Sequence, residues 1–166
     1  MIRSIDLLQH NELFGSLTEE ELSRLAPLCS DFVAIEDSVV FSEGRIASHL
    51  YIVKEGKVAL QRAIRVPHGR NSRRTTVTLC YPGDIVGWSA LAEPYKYTLS
   101  AVAWETSRLI SIDSKMLRKA LDSDIETGYK VMKSLSAIMS RRLKHTTESL
   151  IGELERFLAG ARAYNG

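Results

Sequence analysis

At 166 residues the chain is long enough for one domain that buries roughly 70% of the surface its unfolded form would expose. It is 45% hydrophobic and 25% charged, which excludes a disordered chain, a collagen-like repeat and a bundle of membrane spans. A formal net charge of +2 gives no whole-molecule argument for nucleic acid, and two cysteines are too few for a disulfide framework.

Cys29 and Cys80 therefore read as small buried hydrophobes. The N-terminal stretch MIRSIDLLQHNELF interleaves charge with its apolar positions, so no signal peptide and no membrane partner are expected. The expected compartment is the cytoplasm.

The first helix is expected over 18–28. Thr18 and Glu21 have the spacing of a capping box, and Leu22, Leu25 and Ala26 share a helical face. Pro27 and Cys29 mark its end.

From 31 to 112 the period changes. FVAIED, VVFSEG, HLYIVKEG, KVALQRAIRV, RTTVTLC, GDIVG, YTLSAVAWE and SRLISID are short and rich in Val, Ile, Thr and aromatics. Gly, Pro, Asp and Ser separate them. Strands so evenly spaced predict an all-β roll or barrel. KEGK (54–57) reads as a tight hairpin. Arg62, Arg65, Arg70, Arg73 and Arg74 have no acid among them. They read as a hairpin connection, either a solvated loop or a patch for an anionic partner.

Helical period returns after Asp113, and Asp113 or Ser114 can cap a short helix to about 121. Ser123 and Glu126 suggest a second capping box, opening a helix over 124–162 with no proline inside it. Such a helix would run roughly 58 Å at 1.5 Å per residue, too long to pack wholly on an 80-residue roll. Met139, Leu143, Thr147, Leu150, Leu154, Phe157 and Ala161 step by three or four, a heptad seam. Gly152 costs about 1 kcal/mol within it. The stripe could pack on the chain's own roll. Its reach beyond the roll favours a homodimer interface through Met139, Leu143, Leu150, Leu154 and Phe157.

LFGSLTEEELSRLAPLC, VVFSEGRIASHLYIVKEGKVAL, YPGDIVGWSAL and TSRLISIDSKMLRKAL resemble the cyclic-nucleotide-binding domain in order and spacing. ETGYKVMKSLSAIMSRRLKHTTESL resembles the dimerisation helix of the Crp/Fnr, or catabolite-activator-like, branch. The resemblance covers about residues 13–155. It implies a mainly β fold with flanking α: a β-roll of the jelly-roll type (double-stranded β-helix) with N-terminal helices over 1–122, and a long C-terminal dimerisation helix over 123–166. The helix-turn-helix that DNA-reading members carry after this helix is not seen, so no specific DNA binding by this chain is expected.

In that family a Gly-Glu cassette and an Arg-Thr/Ser pair cradle the cyclic phosphate, with backbone N–H groups of a short helix. Position by position, Gly87 matches the glycine and Trp88 stands at the glutamate. Ser89, Ala90 and Leu91 continue the short helix. Tyr97 stands at the arginine, Thr98 matches the hydroxyl residue and Leu99 replaces an alanine. Both charged side chains of the cradle are missing. Lys96 would need a bulge to reach inward from a strand. On the long helix, Arg141-Arg142-Leu143 precedes Thr146 and Thr147, which match the family's purine-contacting hydroxyl pair but could equally serve a helix interface. Trp88, Pro94, Tyr95, Tyr97 and Trp104 are either core or an aromatic site for a different ligand.

No catalytic constellation is apparent, so no enzyme activity is expected. Ser38, Ser89 and Cys80 lack a base, and His10, His49, His68 and His145 are scattered, with no metal-ligand spacing. No cofactor is expected. The family's iron–sulfur version needs four cysteines, and for its haem version His68 is the loop histidine to test. Three readings follow. The first is a sensor of a small-molecule effector, cyclic-nucleotide-like or other, with a degenerate cassette, that signals through repacking of a dimer helix. The second is a vestigial module used as a platform for a regulated protein partner. The third is part of a Crp/Fnr-type transcription regulator.

Overall fold

The computed structural model describes residues 4–64 and 73–163. Arg65, His68 and Arg70, which figure in the expectations above, lie outside the described residues.

A short helix, α1 (Ser4–Gln9), does not figure among the expected elements. Leu8, Leu13, Phe14 and Leu17 in and after it are buried. Asn11 fastens this segment to the roll. Its Nδ2 donates to the Gly83 carbonyl (2.7 Å) and its Oδ1 accepts the Leu13 N–H (2.9 Å). The helix expected over 18–28 divides in two. α2 (Glu19–Leu25) carries the expected capping box: Thr18 accepts from the Glu21 N–H and Glu21 accepts from the Thr18 N–H. Ala26–Leu28, with Pro27 at its start, tightens into a 3₁₀ turn.

Eight strands follow among the described residues, one for each expected segment. They are β1 (Cys29–Ala34), β2 (Val39–Phe41), β3 (His49–Glu55), β4 (Val58–Ile64), β5 (Arg73–Cys80), β6 (Ile85–Val86), β7 (Ser100–Ala103) and β8 (Ser107–Asp113). They form two antiparallel four-stranded sheets, ordered β1-β8-β3-β6 and β2-β7-β4-β5. This is the expected jelly-roll, its core built on Leu50, Ile52, Val58, Leu109 and Ile112. β4 and β5 pair as a hairpin, Ile64 opposite Arg73. Cys29 is half-buried, Cys80 is buried, and both are free thiols.

KEGK is not a hairpin. β3 pairs with β6 and β8, β4 with β5 and β7, so the chain crosses here from one sheet to the other. Gly56 (φ +83°) makes the crossing possible, because a Cβ there would lie 2.4 Å from Ser107 Oγ. Ser107 is fully buried and pins the corner by accepting the Lys57 N–H (3.0 Å). The strand expected to begin at Tyr97 begins at Ser100 instead. Residues 95–97 bond to the 44–47 turn: the Tyr97 N–H donates to the Arg45 carbonyl (2.9 Å) and the Tyr97 carbonyl accepts the Gly44 N–H (2.8 Å). Lys96 faces solvent, bridged to Ile46.

α3 (Ser114–Ser123) is capped by Asp113, which accepts the Met116 N–H (2.7 Å). α4 (Ile125–Ala163) is 39 residues long. Its cap is Asp124, not the expected Ser123. Asp124 accepts the Thr127 N–H (3.1 Å), while Ser123 is still in the last turn of α3 and donates to the Ala120 carbonyl (2.9 Å). The Ser123–Glu126 box is therefore not formed. α4 meets the end of α3 at Gly128, where a Cβ would lie 2.7 Å from the Leu121 carbonyl oxygen.

The root of α4 is held by charge as well as packing. Glu21 is 6% exposed and accepts from Lys130 Nζ (2.9 Å) and Thr127 Oγ1 (3.1 Å). Arg24 pairs with Asp124 at 3.0 Å. The Lys130 ammonium, followed by the Thr18 N–H, holds the Glu21 carboxyl at about 2, well below its ordinary 4.5. Val131, Leu135 and Ile138 bury one face of the helix, and beyond Ile138 no described α4 residue is buried. Met139, Leu143, Leu150, Leu154 and Phe157 are all exposed, Phe157 at 73%. Ile125, Tyr129 and Met132 extend the same stripe back to the start of the helix and are exposed too. At 3.6 residues per turn the stripe is centred roughly 120° round from the buried face.

Candidate ligand-binding site

β6 delivers the chain to Gly87, whose φ of +80° is left-handed and starts the 3₁₀ turn Trp88–Leu91. No side chain fits at this glycine: a Cβ would lie 3.0 Å from Tyr97 Cε1 and 3.2 Å from the His49 carbonyl. Ala90 and Leu91 are buried and turn away from the cavity described below. Arg118 of α3 donates to the Ala90 carbonyl (2.5 Å), and its guanidinium lies 4.3 Å from the centre of the Tyr95 ring.

Tyr97 is a packed residue with both hydroxyl functions used. It is 4% exposed, and its ring stacks on Phe41 at 3.7 Å between centroids. Its hydroxyl donates to the His49 carbonyl (2.8 Å) and accepts the His49 N–H (3.1 Å). Burial raises the phenol's pKa. Trp88 is half-buried, while Trp104, 52% exposed, lies outside the cavity.

A cavity of about 490 Å³ opens between three walls. Gly87, Trp88, Ser89, Tyr97 and Thr98 form the first. Leu60, Val77 and Leu79 of β4 and β5 form an apolar second wall. Ile138, Arg142 and Thr146 of α4 close the third. Thus six of the nine residues expected to meet a ligand share one space, counting Thr146. Ala90 and Leu91 lie in the core, and Thr147 is on the seam side of α4. Thr146 Oγ1 donates to the Arg142 carbonyl and Thr147 Oγ1 to that of Leu143, both at 2.9 Å.

The sequence reading missed the sheet wall and most of the helix wall. The helix wall had a readable signal, since Ile138, Arg142, His145 and Ser149 recur at helical spacing on one face. The sheet wall had none, because alternation says which residues share a face but not what that face meets. Cys80 also lines the cavity, and burial, the main cause, pushes its thiol up to about 11, so it is not a nucleophile at neutral pH. Among the described residues no three His, Cys, Asp or Glu side chains are grouped to hold a metal ion, and no helix is long and apolar enough to cross a membrane. What the cavity offers is apolar enclosure, a few hydroxyls, and the charged or titratable side chains of Glu12, Asp84, Arg141, Arg142 and His145.

Comparison with known proteins gives a consistent picture. The family described as Cyclic nucleotide-binding domain matches residues 34–124. The CRP-like cAMP-activated global transcriptional regulator of Mycobacterium tuberculosis is 33% identical over 111 residues, which are 67% of this chain and 46% of that protein. A solved chain from Geobacter metallireducens GS-15, described as a cyclic nucleotide-binding protein, superposes with a TM-score of 0.74 at 31% identity. It covers 86% of this chain, and 99% of that chain is covered. The Thermus thermophilus catabolite activator protein shares the fold, with a TM-score of 0.67 at 24% identity over 84% of this chain and 62% of its own. The chain spans about half the length of the curated relatives it matches.

Proposed function

Because this chain belongs to the cyclic nucleotide-binding domain family, we propose that it is a small-molecule sensor with a degenerate cassette. Its effector is not an ordinary cyclic nucleotide, and it reports occupancy by repacking a homodimer through α4. One observation carries this reading: the cavity is walled on one side by the cassette and on another by α4. A molecule lying against Trp88 and Thr98 also touches Ile138 and Thr146, so it can favour one arrangement of roll and helix over another.

Two residues argue against cyclic AMP and cyclic GMP. The indole of Trp88 is donor-only and cannot accept a ribose hydroxyl as a carboxylate does. The Tyr97 hydroxyl is committed to both backbone groups of His49, so it has nothing to offer a phosphate. Titration calorimetry with both nucleotides is expected to give a Kd above about 10 μM, weaker than about −7 kcal/mol. Tighter binding would overturn this part of the reading.

The exposed α4 stripe supports a second copy of the chain as partner, since its apolar face lies away from the roll. Light scattering should find a dimer for the wild type and a monomer for Leu150→Glu with Leu154→Glu. A monomeric wild type, or a mutant that stays dimeric, would sink the interface.

A further inference from the structure

Five charged or titratable side chains line the cavity: Glu12, Asp84, Arg141, Arg142 and His145. Most of this charge is already engaged. Arg141 is ion-paired with Glu12, and the Asp84 carboxylate accepts the Tyr81 N–H (2.8 Å) within the turn before β6. Arg142 differs. It makes no ion pair among the described residues, and its one hydrogen bond there goes from Nη2 to the Ile85 carbonyl (2.7 Å). A guanidinium carries five N–H donors, so most of its fork is left for a guest. It is half-buried and shares the cavity with the indole of Trp88 and the aliphatic side chains of Leu60, Val77 and Ile138.

We propose that Arg142 is the anion anchor of this cavity, and that the effector is an organic anion. A carboxylate or phosphate on the effector meets the guanidinium on the helix wall, and an aromatic or aliphatic body lies against Trp88 and the sheet wall. This deepens the sensor reading and rests on it. The cation of the site is then on the helix wall rather than on the cassette, where Tyr97 is closed. The anion would attach to the helix that carries the exposed stripe, and would do so from the face opposite Thr98. Half-burial matters here, because a charge-assisted contact shielded from water is worth more than one at the surface.

A matched pair of probes tests the assignment: 1-naphthaleneacetate, an anion, and 1-naphthaleneacetamide, its neutral counterpart. Affinities are measured by calorimetry, and the indole N–H resonance of Trp88 reports whether each probe occupies the cavity. The acetate is expected to bind about tenfold tighter than the amide. Arg142→Gln should bring the two to parity by weakening the acetate alone, and Arg142→Lys should keep part of the preference. Equal binding of both probes to the wild type would overturn the anion anchor and leave the sensor reading standing. A preference that survives Arg142→Gln in a folded protein would overturn the role of Arg142. Binding of neither probe at millimolar concentration, with no shift at Trp88, would overturn both. If Arg142→Gln does not fold, the wild-type ratio at low and high salt still decides: the preference must shrink as salt screens the charge.

Discussion

The root of α4 and the cavity midway along it both gather charged side chains, and they treat them in opposite ways. At the root, Glu21 meets Lys130 and Thr127, Arg24 meets Asp124, and the one carboxylate buried among the described residues is saturated with donors. At the cavity, Arg142 leans on a single carbonyl. A saturated cluster fixes a structure, since removing Lys130 or Thr127 takes a donor away from the buried Glu21 carboxylate. An arginine with spare donors in an open cavity keeps the capacity to take a guest. The contrast separates charges that build the domain from charges that can read its surroundings.

The largest effect that could break this comparison is at Glu21. Glu21→Ala removes half of the capping box and leaves Lys130 without its buried partner, so we expect a loss of about 3 kcal/mol in urea unfolding. A loss below about 1 kcal/mol would place the root among ordinary surface ion pairs. The same cluster should show in the pH dependence. The Glu21 carboxyl is held at about 2 in the folded chain against an ordinary 4.5. Its contribution is therefore complete above about 4.5 and fades as the pH falls from there towards 2. Glu21→Gln should flatten that part of the stability profile, and an unchanged slope would contradict the assignment. The smallest effect is expected at Tyr97→Phe, which removes the two bonds to His49 but keeps the stack on Phe41. A loss of about 1 kcal/mol in stability, with no change in cyclic-nucleotide affinity, would mark that hydroxyl as structural.

Much of the fold is legible in the chain because its signals are local. The Thr18–Glu21 spacing, the alternation in the eight strand segments and the unbroken period after Asp124 each act within one element. The errors arise where two elements meet. KEGK has the composition of a hairpin, yet only the buried Ser107 beside Gly56 reveals that the chain changes sheets there. Ser123 has the composition of a cap, but α3 claims it and Asp124 does the capping. In the site, the substitutions at Trp88 and Tyr97 can be read from the resemblance alone. That Tyr97 is closed by the backbone of His49, and that Arg142 shares its cavity, depends on segments 48 and 45 residues apart in the chain.

Gly128 gives the molecule a joint without play. Backbone lies against backbone where α4 passes the end of α3, with no side chain between them to deform or change rotamer. α3 in turn grips the cassette through Arg118, on the Ala90 carbonyl and over the Tyr95 ring. Cassette, α3 and the root of α4 thus touch one another in series. Carried along a stiff rod of 39 residues, a small change of angle at that corner becomes a sideways sweep of several ångströms at the far end.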